Sequence, residues 1–373
     1  MLPSTERLLL GPGPSPVSSR ITRAMTAPVL SHLDPDMVAI LDDVRARLRS
    51  IFRADDKAFA FAVSGTGTSG MEAAVSNVTK PGSRALVVVT GYFGERLLQM
   101  LERYGASVSR VDVEWGRACD PSLVEHALAR EGADIVAMVH GETSTGVVNP
   151  AADICAIAAR RGALTIVDAV TSLAAQPVEA ARWGADVIYS CTQKGFGAPS
   201  GLAPIVFSDR ARQARATGGS ALGRSFYLDL ALLEDFWVRR KYHHTISAPL
   251  VYALREALVA IEEEGLEARW ERHRLNHLAF AAGLEEMGLR LLPPPAERLW
   301  PLNTVVVPEG VEEAAVRRQL LQQYNIEIGA GLGPLAGRIW RIGLMGSGST
   351  TANLSLLLTA IHALLPRPVH PLH

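Results

Sequence analysis

Three stretches of the 373-residue chain hold residue types that could do chemistry together. The first, Ser64-Gly65-Thr66-Gly67-Thr68-Ser69-Gly70, follows an apolar run and precedes a helical one. Backbone N–H groups at a helix N-terminus, with hydroxyls among them and no Cβ to block approach, make a nest for a phosphate. A tight turn made by the glycines is the plain alternative. The spelling also fits G-x-G-x-x-G, but a dinucleotide site would carry an acid at the end of the next strand. Ala85 to Val89 runs instead into Thr90, Gly91 and Tyr92, which argues against a nicotinamide-dependent dehydrogenase. The second stretch ends in Asp168, after Leu164-Thr165-Ile166-Val167. A carboxylate so placed is buried and needs a cation or hydrogen-bond donors to stay charged, although capping of the segment after Ser172 is another use for it. The third holds Lys194, which follows a short apolar strand and precedes Gly195, Gly197 and Gly201. A lysine dried out in this way has a lowered pKa and becomes an amine nucleophile, whereas most lysines are solvated surface groups.

An anion-binding loop, an acid for a protonated ring nitrogen and an amine for an aldehyde are the groups that pyridoxal phosphate requires. Phe93, in Gly91-Tyr92-Phe93-Gly94 at the end of the second strand, could stack on the ring or serve as a core aromatic. Arg341 lies in an apolar strand pattern, Ile339 to Ile342. Its planar guanidinium could grip a substrate carboxylate by two parallel hydrogen bonds, which a lysine does less well; a surface ion pair is the alternative.

Elements that must position these residues can be read from periodicity. Strand-length apolar runs are expected at Ala58 to Val63, Ala85 to Val89, Ile135 to His140, Leu164 to Val167, Val187 to Tyr189 and Ala203 to Phe207. Helical segments, Gly70 to Thr79, Glu95 to Arg103, Pro121 to Arg130 and Ala151 to Arg160, lie between them. The alternation predicts an α/β fold with a mostly parallel sheet between helices and a ligand beyond the strands' carboxyl ends. Long helix follows from Pro249 to Gly288, interrupted at Gly265. A strand at Thr304 to Val307, a helix at Glu312 to Tyr324, a strand at Ile339 to Ile342 and a last helix then predict a smaller C-terminal α+β domain. The expected division is an extended arm over 1–18, a large domain over 19–264 and a small domain over 265–373.

In these motifs the chain resembles the class V, fold-type I aminotransferases, and among them the alanine–glyoxylate, serine–pyruvate and serine–glyoxylate enzymes. The resemblance runs through Leu10 to Pro14, Ser64 to Glu72, His140-Gly141-Glu142-Thr143-Ser144-Thr145-Gly146, Val167 to Val170, Ser190 to Lys194, Tyr242-His243-His244-Thr245 and Trp340 to Gly343. It implies that Lys194 forms a Schiff base with the cofactor, that Asp168 pairs with the pyridine nitrogen, and that Gln193 with Gly65, Thr66 and Gly67 holds the phosphate. It further implies that Thr143 or Ser144 lies near the ring hydroxyl, with Gly13 and Thr143 beside the substrate and Arg341 on its carboxylate. Tyr242 and Thr245 would reach the phosphate of a neighbouring subunit, which makes a homodimer the functional unit. The implied reaction is ping-pong transfer from alanine or serine to glyoxylate or pyruvate. Phe93 stands where many relatives carry Trp, and Ser31 precedes His32 where they carry Gly; the second change bears on the size of the substrate pocket.

Composition agrees with a globular enzyme: hydrophobic residues are 48%, charged residues 20%, and the net charge of −1 excludes a broadly basic nucleic-acid binder. Cys119, Cys155 and Cys191 are odd in number and lack C-x-x-C spacing, so neither disulfides nor a thiolate metal site is expected, and a reducing cytoplasm is the expected compartment. A related cysteine desulfurase would need a mobile thiol from the C-terminal half, and no cysteine follows Cys191. No apolar run is long enough to cross a bilayer.

Overall fold

A computed structural model of the chain describes residues 6–219 and 222–365. Seven strands form the central sheet: β1 (Phe59–Gly65), β2 (Arg84–Val89), β3 (Ser107–Asp112), β4 (Ile135–Val139), β5 (Leu164–Asp168), β6 (Val187–Tyr189) and β7 (Gly201–Phe207). Their order is β1-β7-β6-β5-β4-β2-β3, and only β7 runs antiparallel to its neighbours. Strands covered by helices on both faces read as unbroken apolar runs, as in the fully buried Ile135–Val139. The edge strand β3 escapes that pattern. Four of the six residues in its sequence, Ser-Val-Ser-Arg-Val-Asp, are polar because one side of it meets solvent.

Crossover helices fill the gaps between strands. The helix α1 (Pro35–Ile51) precedes β1, α2 (Gly67–Val78) follows it, and α3 (Tyr92–Arg103), α4 (Pro121–Glu131) and α5 (Ala151–Arg160) follow β2, β3 and β4. Asp34 and Asp120 cap α1 and α4, each with Pro at the first helical position. Two of these helices begin three residues earlier than their periodicity suggests. The extra turn of α3 moves Phe93 from the end of a strand into the helix.

The long helical stretch is two helices, α6 (Ala248–Glu264) and α7 (Leu266–Glu286), broken where Gly265 adopts φ 83°. Beyond them β8 (Leu302–Val306), β9 (Gly329–Ala330) and β10 (Ile339–Gly343) form an antiparallel sheet in the order β8-β10-β9. The helices α8 (Glu313–Tyr324) and α9 (Thr351–Leu364) pack with α7 around it. One hydrophobic cluster underlies the seven-stranded sheet, and a second gathers Phe280, Leu284, Val305, Leu320, Trp340, Ile342 and Leu357.

Leu10 belongs to the second cluster although it lies hundreds of residues away in sequence. Leu8–Leu9 pairs in parallel with Ile326–Glu327, and the Gly343 N–H donates to the Leu10 carbonyl at 2.8 Å. The early segment is thus an added strand. A Cβ at Gly343 would overlap the Gly11 carbonyl oxygen, so close backbone approach explains the glycine there.

Candidate active site

A cleft of about 260 Å3 opens at the carboxyl ends of the parallel strands. Its walls include Gly13, Thr66, Gly67, Phe93, Thr143, Asp168, Gln193 and Lys194, residues singled out from the sequence, together with Met71, Arg96, Val139 and Val170. Most come from a strand end or the first turn of the helix beyond it, where an open α/β sheet leaves a crevice, and Gly13 is brought in by the N-terminal segment. Gly65 is not on the wall. It turns the chain into α2 at φ 132°, and a Cβ there would overlap the Ser69 hydroxyl.

Lys194 is seated from two sides. Its Nζ donates to the Pro12 carbonyl, while the Ser15 hydroxyl donates to the Lys194 carbonyl at 2.8 Å and the Ser15 N–H to the Gln193 carbonyl at 2.9 Å. The next residue must be small, because a Cβ at Gly195 would overlap the Leu173 carbonyl oxygen. Arg269, itself buried, donates to the Gly195 carbonyl at 2.7 Å and to that of Ala174 at 3.0 Å. Burial pulls the Lys194 pKa down, with Cys191 opposing, Arg341 assisting and Asp168 opposing.

Asp168 is 3% exposed. Its Oδ1 accepts the Val170 N–H and its Oδ2 accepts the Tyr189 hydroxyl, both at 2.8 Å. Burial raises its pKa to about 6, the two hydrogen bonds oppose that shift, and the charge of Glu142 adds to it while Lys194 counters. Capping of the segment after Ser172 is not its role, since its side-chain bonds go to Val170 and Tyr189.

Two further participants escaped the sequence reading. Glu142 is fully buried and accepts the N–H groups of Phe93, Gly94 and Ser144 and the Ser144 hydroxyl, which in turn accepts the Tyr92 N–H. One carboxylate therefore caps α3, whose own cap residue, Gly91, has no side chain to do so. A carboxylate just past an apolar strand was the available signal. Arg96 lies 5.1 Å from the Phe93 ring centroid and donates to Thr68 Oγ1 at 3.3 Å, bracing the two helix ends across the cleft. Phe93 itself is half-buried and faces the cleft, so it is not a core aromatic. Thr143 Oγ1 and Thr171 Oγ1 are hydrogen-bonded at 2.5 Å.

Arg341 is buried; among the described residues it makes no ion pair, Nε donates to the Ala330 carbonyl at 2.6 Å, and its terminal nitrogens have no partner. It is not among the residues that line the cleft, but it is near enough for its charge to act on Lys194. Tyr242, 65% exposed, and Thr245 stand away from the cleft of their own chain, with the Tyr242 ring 5.1 Å from that of His32. All three cysteines are buried and free, and burial pushes each thiol to about 12, which leaves no thiolate for desulfurase chemistry. No helix among the described residues is long and apolar enough to cross a membrane.

Comparison with known proteins agrees with this arrangement. The aminotransferase class-V family model matches residues 19–338. The chain is 38% identical to the (S)-ureidoglycine–glyoxylate transaminase of Bacillus subtilis, over 97% of this chain and 91% of that one. It is 35% identical to the alanine–glyoxylate aminotransferase of Drosophila melanogaster, over 95% and 91%. A crystal structure of alanine–glyoxylate aminotransferase from Nostoc superimposes with a TM-score of 0.95 at 41% identity, covering 98% of both chains. The sheet order, the seated lysine and these matches lead to one conclusion: the chain belongs to the class-V aminotransferases, enzymes of fold type I that depend on pyridoxal phosphate.

Proposed function

We propose that this enzyme moves the amino group of a small amino acid, alanine or serine, to glyoxylate or pyruvate in a ping-pong sequence. The observation that carries the reading is one buried lysine amine in a cleft between a buried carboxylate and a helix N-terminus without a side-chain cap, near a guanidinium whose terminal nitrogens have no partner among the described residues. The relatives named for glyoxylate support it as acceptor. The one named for (S)-ureidoglycine brings in that amine as a second donor.

The residues fit the cofactor. Among the described residues no side chain caps α2, so its first N–H groups are open as donors to a phosphate, and Asp168 uses two of about four acceptor positions. In this reading Thr66, Gly67 and Gln193 hold the phosphate, with Gly65 turning the chain toward it. Asp168 holds the ring nitrogen, Thr143 lies by the ring hydroxyl and Phe93 covers one face. Tyr242 and Thr245, exposed on their own chain, would complete the phosphate site of a second copy in a homodimer.

When bound, pyridoxal phosphate supplies an aldehyde for amines and a ring that accepts the electron pair left at Cα. Lys194 anchors it at rest. Once displaced by the donor, the lysine amine would take the proton from Cα and deliver it to the former aldehyde carbon, and its lowered pKa favours the neutral form that the first of these requires. Asp168 keeps a proton on the ring nitrogen. Arg341 holds the donor carboxylate in its free terminal nitrogens, which fixes the direction of the Cα–H bond. Gly13 keeps space beside Lys194, since a Cβ there would press on the lysine chain. Hydrophobic clustering supports a large domain over 19–264 and a small one over 265–373 with an arm over 1–18, of which residues 1–5 and 366–373 lie outside those described. Three free thiols suit a cytoplasmic location.

The test is a set of half-reactions. Cofactor-loaded enzyme is mixed with alanine, serine, glycine or (S)-ureidoglycine, and the visible band of the lysine-bound cofactor is followed. Rapid loss with alanine or serine, with release of the 2-oxo acid, is expected. A faster response to ureidoglycine would move the assignment to that donor, and a silent panel would overturn amino transfer from all four.

A further inference from the structure

Tyr189 ends β6 and is 0% exposed, and the proposed reaction gives it no role beyond its hydrogen bond to Asp168. Parallel pairing sets it directly opposite Asp168 across β5 and β6, so both side chains leave the same face of the sheet. We propose that Tyr189 is a positioning residue of this aminotransferase: its phenol holds the Asp168 carboxylate in one orientation, ionised and turned toward the pyridine nitrogen. The proposal rests on the reading of Asp168 as the partner of that nitrogen.

Each carboxylate oxygen takes one donor, Tyr189 on Oδ2 and the Val170 N–H on Oδ1. Two donors on opposite oxygens stop rotation about Cβ–Cγ, while further lone pairs stay open for a ring N–H. The ring is closely enclosed: Tyr189 is fully buried, even a single added methyl at Gly70 of α2 would lie only 3.3 Å from its Cδ2, and the hydroxyl has no acceptor but Asp168 among the described residues.

Charge makes the bond matter. The charge of Glu142 disfavours ionisation of Asp168, Lys194 favours it, the Cys191 thiol is neutral, and the neutral His140 ring turns to Ser172 Oγ at 2.8 Å. Arg96, farther off, acts on Tyr189. With one buried carboxylate opposing another, the two donors on Asp168, together with the charge of Lys194, favour its ionised form before any cofactor arrives. Phenylalanine would fill the same space without that bond.

Tyr189→Phe tests this, because it keeps the ring. The cofactor-free variant and parent are titrated with pyridoxal phosphate from about pH 5 to 9, a range that brackets the raised Asp168 carboxyl, with protein fluorescence as readout. Affinity near neutral pH is expected to fall about tenfold, and the midpoint at which acid abolishes binding to rise by about one to two pH units, the size of a hydrogen bond to a charged group. In the loaded enzyme kcat should drop with the donor KM little changed. A variant that melts earlier but keeps the parental midpoint would show a merely structural tyrosine and overturn the proposal. Asp168→Asn separates the two levels. Parental affinity in Asp168→Asn would overturn the reading of Asp168 and this proposal with it, whereas weakened binding there beside an unshifted Tyr189→Phe would overturn the proposal alone.

Discussion

Arg341 is tethered by Nε alone, which leaves its terminal nitrogens for a carboxylate. Arg341→Lys keeps the charge and loses the fork, so the donor KM should rise about tenfold or more while the cofactor still binds; steady-state kinetics against both substrates would read this. Asp168 gives a second expectation, in the cofactor-free protein. Its carboxyl stays protonated to about pH 6 in the folded chain against an ordinary 3.8. Between those values the folded state binds more protons than the unfolded one, so stability falls as pH rises, by about 3 kcal/mol in total. Without cofactor, Asp168→Asn should therefore be more stable than the parent at neutral pH and similar near pH 4, as denaturant melts at both values would show. Lys194, Asp168 and Phe93 could be picked out of the sequence because each stands just past an apolar strand. Glu142 and Tyr189 could not be assigned, because their partners are 49 and 21 residues away and meet them only through strand register and helix docking.

Among the elements, α3 shows most clearly how a neighbour can decide where a helix begins. Gly91-Tyr92-Phe93-Gly94 carries no capping side chain of its own, so the helix seemed to begin at Glu95 until Glu142 is seen to satisfy its first N–H groups. Glu142→Ala would strand those buried donors at a cost of at least about 2 kcal/mol. A melting point lower by several degrees is expected, with a weaker visible circular dichroism of bound cofactor as Phe93 shifts; Glu142→Gln, which keeps one acceptor, should fall between. The edge strand β3 was hidden for a different reason, since half of its residues face water and break the apolar run. Strands β2, β4 and β5 were legible because burial on both faces leaves them nothing but apolar choices along most of their length.

At the scale of the whole molecule, periodicity was enough to indicate a sheet domain followed by a smaller one, yet it gave no hint of where the first residues sit. Leu8 to Leu10 carry no strand signal of useful length, and their seat is built from Ile326, Glu327 and Gly343. Gly343→Ala would force the Gly11 carbonyl aside. A loss of about 1 to 3 kcal/mol is expected from the overlap, together with faster release of cofactor on dilution, because Pro12 would leave the lysine amine. The seating of that segment also has a consequence for the order of assembly. A stretch synthesised early can take its place only after a strand synthesised hundreds of residues later has formed, so during translation the reactive nitrogen goes without its carbonyl neighbour until the chain is almost complete.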